Sequence, residues 1–445
     1  MTPTGAPLAG SVPVPSDDRI APLALLCAAL AEAPSEIGGG GWGEGLLAMA
    51  EALARFGVGI EVEPTEIRVR GVSISGLSAP VGPVVCGSAP TTMRLLAGVL
   101  VAQSFASELV AGEGARGEDM QSVAKPLRWR GGQIEGVFSA PAPGEILPPL
   151  VVGPLPGGVV LSELEYDLGP LAPDVKGAVL FSGLYADGTT WLREPFVSHD
   201  HAERLLQALE VPVSTAGSVV ELDPAGWVPR LPGVHGRVAG DPSAAALLLA
   251  AAALIPQSRV CTRQTCLNPT RTGALRLLRQ MGGQIEWEIR EHGLGEASGM
   301  VCAAHAPLRA TTMAGETASG AIDEVAALAA LAARAEGTSV LDRALIAGDV
   351  ASQLRAALAE FGIEAELSAA GLAIEGRPTG KFRAADLDAH DDPRLGALGI
   401  LLGMLGEGPT RVRRIDGLAR RFPRVVGTLR ALGADLRVEE RTVAS

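Results

Sequence analysis

Apolar and polar positions along the chain repeat one phrase: a helix end reading L-x-x-x-G, then a short segment in which apolar residues alternate with polar ones. It occurs as LARFGVGIEV from Leu53, LRWRGGQIEG from Leu127, LLRQMGGQIEWE from Leu277, LAEFGIEAEL from Leu358 and LRALGADLRVEE from Leu429. A weaker copy, LLQALEVPVSTAGSVVEL, starts at Leu205. Gly57, Gly131, Gly282, Gly362 and Gly433 close five of these helices, and Glu210 stands in for glycine once. Glycine after a helix takes the left-handed C-cap that other residues resist, and alternation with period two is strand periodicity. Recurrence at roughly 70 to 80 residues predicts six α/β units, arranged as two lobes of three.

Apolar helices are legible within the units, at 21–32, 91–103, 243–255 and 322–334 among others. They are apolar almost all round, so they belong inside rather than on the surface. The expected fold is therefore an α/β class of inverted type, with helices within and sheets facing out. A glycine and an acid precede a long apolar helix near residues 238–241. Division there gives one lobe of 1–20 plus 241–445 and a second of 21–240.

Composition narrows the function classes. The 445 residues are 47% apolar and 20% charged, with a net charge of −13, which fits a globular chain with a sizeable core. An acidic balance argues against nucleic acid and anionic membrane as partners, since both require basic patches. Aromatic residues make up only 3%, too few for base-stacking platforms. Lysine occurs only as Lys125, Lys176 and Lys381, so few positions can hold a catalytic amine. Five scattered cysteines (Cys27, Cys86, Cys261, Cys266, Cys302) suggest neither a disulfide framework nor, lacking a second Cys/His pair, a zinc site. The N-terminal segment lacks the pattern of a signal peptide, and the longest apolar run, 244–255, is too short to span a bilayer. A cytoplasmic location is expected.

Several strings, in order, resemble the landmarks of the enolpyruvylshikimate-phosphate (EPSP) synthase family. They are GSAPTTMRLLAG from Gly87, VKGAVLFSGLYADG from Val175, SHDHAERLL from Ser198, GDPSAAALLLAAA from Gly240 and NPTRTGALRLLRQMG from Asn268. The resemblance runs from about Val14 to Leu436 and implies the two-lobed fold of inverted α/β repeats, with a small-molecule site in the cleft between lobes. It further implies transfer of the carboxyvinyl group of phosphoenolpyruvate (PEP) to a hydroxyl of shikimate-3-phosphate, without metal or organic cofactor.

Both substrates are polyanions, so that chemistry needs a site lined with cations and a group to manage the proton. Matched position by position, the family's opening motif P-G-D-K-S-x-S-H-R-A falls on the residues from Pro15 to Ala24. Asp18 then stands where a lysine touches both substrates, Arg19 at a substrate-binding serine and Leu23 at a substrate-binding arginine. In the G-N-x-G-T-T-x-R turn Arg94 is kept, while Pro90 occupies a glycine position. Glu118 falls on a PEP-binding arginine, and Asp174 ends the Ala172-Pro173-Asp174 stretch that replaces S-S-Q. Ser198 matches a substrate-binding serine.

In the second half Asp323 matches the general-base aspartate, and Arg394 keeps one PEP arginine. Arg420 replaces a late lysine, retaining charge but not a compact, titratable ammonium. A motif carrying a Lys–Glu pair and another PEP arginine falls on the stretch from Leu345 to Ala351, which has none of them. The lining thus shifts by about six unit charges toward the negative, and each close pair is worth about 4 kcal/mol at an effective dielectric near 20.

Three readings follow. In the first, a pseudoenzyme keeps the scaffold for binding or regulation, with a protein partner possible. In the second, a redirected enzyme uses Asp18, Glu118, Asp174 and Asp323, with Arg94, Arg394 and Arg420, on a less anionic ligand. The third is a genuine 3-phosphoshikimate 1-carboxyvinyltransferase. The charge balance favours the first. Nearby, Asp386, Asp388, His390, Asp391 and Asp392 form an acidic cluster that reads as a solvated loop rather than a cation site.

Overall fold

The computed structural model describes residues 6–139, 144–169, 173–346 and 348–439. Five units of the expected repeat fold as β-α-β-α-β-β: two strands pair in parallel, and the second of them pairs with a closing antiparallel hairpin. In 84–152, for example, the sheet order is Val84–Val85, Ser107–Val110, Ile146–Val152, Ile134–Phe138. Helices Pro90–Leu100 and Gln121–Trp129 fill the two crossovers. The same order recurs in four other four-stranded sheets, and a two-stranded sheet, Asp386–Asp388 with Arg411–Arg413, represents the sixth unit.

The turn residues behave as the pattern requires. Gly57, Gly131, Gly282, Gly362 and Gly433 all have positive φ, and so does Glu210, at 62°. The geometry of the helix exit is thus kept even where the glycine is not.

The chain divides into two compact units. One comprises the chain up to Pro15, Gly240–Glu291 and the chain from Ser298 onward; the other comprises Ser16–Ala239 with His292–Ala297. The first crossing falls at Pro15/Ser16 rather than after residue 20. Backbone bonding explains this: Ser16 N–H donates to Gly40 O and Asp17 N–H to Ala239 O, each at 2.8 Å. In the Ser16–Ala239 unit the first sheet also borrows its leading strand, His235–Arg237, which pairs in parallel with Ser35–Gly38.

Within each unit the helices are central. Every residue of Ile20–Ala29 and of Pro242–Leu254 is buried. Val325–Arg334 packs on both Pro242–Leu254 and Pro393–Gly403. In the other unit Pro90–Leu100 lies so close to Pro173–Gly183 that a Cβ on Gly98 would sit 2.1 Å from Ala178 O. Sheets present their second face outward, as in Glu66–Arg70, where Ile67 and Val69 are buried and Arg68 and Arg70 exposed. No helix among the described residues is long and apolar enough to cross a membrane.

Two features depart from the sequence reading. Cys261 and Cys302 form a disulfide. They lie 41 residues apart in the chain, but strands Arg259–Cys266 and Glu296–Ala304 set them directly opposite in antiparallel register. Only the register reveals that pairing.

The second departure is Arg130. It occupies the position before the turn glycine that is filled elsewhere by Phe56, Leu209, Met281, Phe361 and Leu432, and like those residues it is buried. Its guanidinium donates to Val179 O at 3.1 Å, to Thr190 Oγ1 at 2.7 Å, to Ser162 O and to the Ser182 hydroxyl. All of these acceptors are neutral, and burial pulls its pKa down to about 10. Arg130→Met would supply the apolar group of the other copies but remove the guanidinium donor from Ser162 O, Thr190 Oγ1 and Ser182 Oγ. It should cost about 1–3 kcal/mol, measured as a lower midpoint of urea unfolding.

Candidate functional site

In the unit Ser16–Ala239 a cluster forms where two helices begin. Arg94 lies near the start of Pro90–Leu100 and Asp174 near the start of Pro173–Gly183, two helices that pack together. Asp174 accepts a hydrogen bond from Thr91 Oγ1 at 2.8 Å and stands 3.6 Å from Arg19 and 3.9 Å from Arg94. Glu118 approaches Arg94 at 3.4 Å, and Asp119 O accepts from the same guanidinium. Arg94 Nε is buried with no hydrogen-bond partner. Two guanidinium groups and two carboxylates thus converge, so much of the positive potential that would draw an anion is already met by internal carboxylates.

Asp18 is engaged differently. Its carboxylate accepts from the backbone N–H groups of Gly45 and Leu46, each at 3.2 Å, at the start of helix Glu44–Arg55. A helix N-terminus favours an anion, and the approach is close enough that a Cβ on Gly43 would lie 2.7 Å from Asp18. Leu23, at a position where the family resemblance implies an arginine, is buried in Ile20–Ala29.

Ser198 belongs to a separate, buried network. Its hydroxyl donates to Glu194, and Glu194 and Glu203 hold Lys176 at 2.9 and 2.6 Å. The coulombic pull of both carboxylates overcomes burial and holds the Lys176 ammonium above its ordinary range. Nearby in sequence, His201 Nδ1 lies 2.7 Å from Glu296, and its Nε2 has no hydrogen-bond partner.

In the other unit Arg271, the arginine of NPTRTG, is the hub. Its Nη1 contacts Asp323 at 2.7 Å, and its Nη2 donates to Ser243 Oγ at 3.1 Å and lies 3.6 Å from Glu324. Arg421 approaches Asp323 from the second side at 3.7 Å. The neighbouring Arg420 is exposed on helix Asp416–Arg421. Arg394 is bound to Asp392, which also caps helix Pro393–Gly403 by accepting from the Arg394 N–H.

The acidic cluster is likewise occupied by arginine. Arg413 pairs with Asp386, and Arg414 with Asp388, each at 2.7 Å. The hydrogen bond from Arg414 holds the Asp388 carboxyl well below the usual range. No group of three or more potential metal ligands occurs among the described residues.

The structure therefore joins Arg94, Asp174 and Glu118 into one cluster with Arg19, and sets Asp323 in another with Arg271. Asp18, Ser198 and Arg394 have their own local partners. Ala172 and Ala347, two of the expected replacements, lie outside the described residues. The sequence reading gave Asp323 no partner and missed both Arg271 and Arg421 beside it. Successive helix residues point about 100° apart, so only the fold shows that Arg421 reaches the aspartate.

Glu324 is buried beside Asp323, and burial pushes its pKa up to about 7 against the pull of Arg271. The folded protein therefore holds a proton that the unfolded chain releases near 4.5. The resulting stability is fully present below pH 4.5 and is lost as pH rises through about 7. Glu324→Gln should flatten the fall in thermal midpoint across that window, read from melting curves of both proteins.

Five β-α-β-α-β-β units and a sixth represented by a two-stranded sheet, in two groups of three, define a protein of the inverted α/β class with the EPSP synthase fold. Residues 3–429 match the family model of EPSP synthase (3-phosphoshikimate 1-carboxyvinyltransferase). A 3-phosphoshikimate 1-carboxyvinyltransferase of Limosilactobacillus fermentum is 34% identical, over 96% of this chain and 97% of its own. One of Methylococcus capsulatus is 32% identical over 98% and 97%. The solved EPSP synthase of Acinetobacter baumannii superposes with a TM-score of 0.86 at 30% identity, covering 99% of both chains. The chain belongs to the EPSP synthase family.

Proposed function

We propose that this chain is a carboxyvinyltransferase of the EPSP synthase type, acting on 3-phosphoshikimate with PEP as donor. The observation that carries this reading is similarity to named 3-phosphoshikimate 1-carboxyvinyltransferases across nearly the whole chain. In that role Arg19 and Arg94 meet anionic oxygens once Glu118 and Asp174 give way. Asp323, oriented by Arg271, takes the proton. The acceptor hydroxyl adds to the carboxyvinyl carbon and phosphate leaves.

A second reading has its own support: the pairing of Arg94 with Glu118 and Asp174, and of Arg394 with Asp392. Where the family resemblance calls for free cations, these are engaged by carboxylates of their own unit. Under this reading the scaffold has lost PEP transfer, or has turned to a less anionic ligand.

One assay separates the two. On the transferase reading, purified protein releases phosphate from PEP plus 3-phosphoshikimate at about 1 s⁻¹ or faster. Asp323→Asn then lowers that rate by about a hundredfold or more. Absence of turnover in folded protein, with no thermal shift from either anion, leaves the second reading. In that case Glu118→Gln combined with Asp174→Asn should tighten PEP binding by about tenfold or more, since it removes two carboxylates competing for Arg94.

A further inference from the structure

A cavity of about 390 Å³ lies on the sheet that contains the disulfide, in the unit beginning again at Gly240, and its lining includes Pro13, Arg263, Gln264, Arg290, Glu291 and Met300. It opens where strand Arg259–Cys266 is irregular. The register against Glu296–Ala304 shifts between Thr262 and Thr265, and Gln264 has a φ of 59°. An extra residue in one strand re-aims side chains and opens the ladder. Cys261 and Cys302 tie the same two strands together two residues from Arg263 and from Met300.

One of the three charged residues lining this cavity is matched within the protein. Arg290 is bound to Glu288 by two contacts of 3.0 Å. Arg263 and Glu291, by contrast, pair neither with each other nor with another charged group among the described residues. An unpaired guanidinium and an unpaired carboxylate thus line one cavity together with the apolar Met300 and Pro13. Its size is within the range of small-molecule sites.

We propose that this cavity binds an α-amino acid with an apolar side chain. Arg263 takes the carboxylate, Glu291 takes the ammonium, and Met300 and Pro13 cover the side chain. A ligand with only one charge leaves one of the two protein charges unanswered, so the site selects the zwitterion. The inference is independent of the transferase reading, because it concerns binding at this sheet and no step of the transfer chemistry.

The test is calorimetric titration of the full chain with L-methionine and L-phenylalanine, alongside L-methioninamide and N-acetyl-L-methionine. Saturable binding of at least one amino acid is expected, with either capped form about tenfold weaker or worse, the loss of one charge-assisted contact. Arg263→Gln should weaken L-methionine by a similar factor and erase the discrimination against the amide. Glu291→Gln should do the same for the N-acetyl form. Both residues are exposed, so both variants should melt like the parent. No saturable binding of either amino acid up to about 10 mM, or equal binding of free and capped forms, would overturn the proposal.

Discussion

A helix that is apolar on every side can rest only where every side is covered, and that constraint organises this protein. Ile20–Ala29 and Pro242–Leu254 have no polar stripe to turn toward water. They therefore lie within their units, other helices pack against them, and the sheets close the outside. The repeated left-handed exit after each second helix turns the chain out of the interior and into the closing hairpin. Glu210 shows that this exit is imposed by the fold: the chain makes it even without glycine, at a position where another residue pays a conformational cost.

The same burial shapes the chemistry. Charged groups inside such units persist only when they are answered, and here nearly every one is. Lys176 sits between two carboxylates, Arg271 among Asp323, Glu324 and Ser243, and Arg130 among neutral oxygens. At the cluster around Arg94 this self-sufficiency has a functional meaning, because a cation already facing Asp174 and Glu118 attracts an external anion less strongly. The chain thus combines the architecture of the EPSP synthase family with an internal charge balance at this cluster. Arg263 and Glu291 are exposed and stand outside that rule: they line one cavity without meeting.

The sequence by itself determined the fold class, the six repeats, the central helices and the family, because each is written in local signals: period two, period 3.6, and glycine at a left-handed turn. It also named Arg94, Asp174, Glu118 and Asp323 as the residues of interest. What it did not hold was who meets whom. The Cys261–Cys302 disulfide, the approach of Arg421 to Asp323, and the capture of Asp18 by the N–H groups of Gly45 and Leu46 all depend on register and helix phase between segments distant in the chain. Tertiary structure alone decided these, because a hydrogen bond or ion pair depends on ångström-scale distance, whereas composition and periodicity fix only which face of an element a residue occupies.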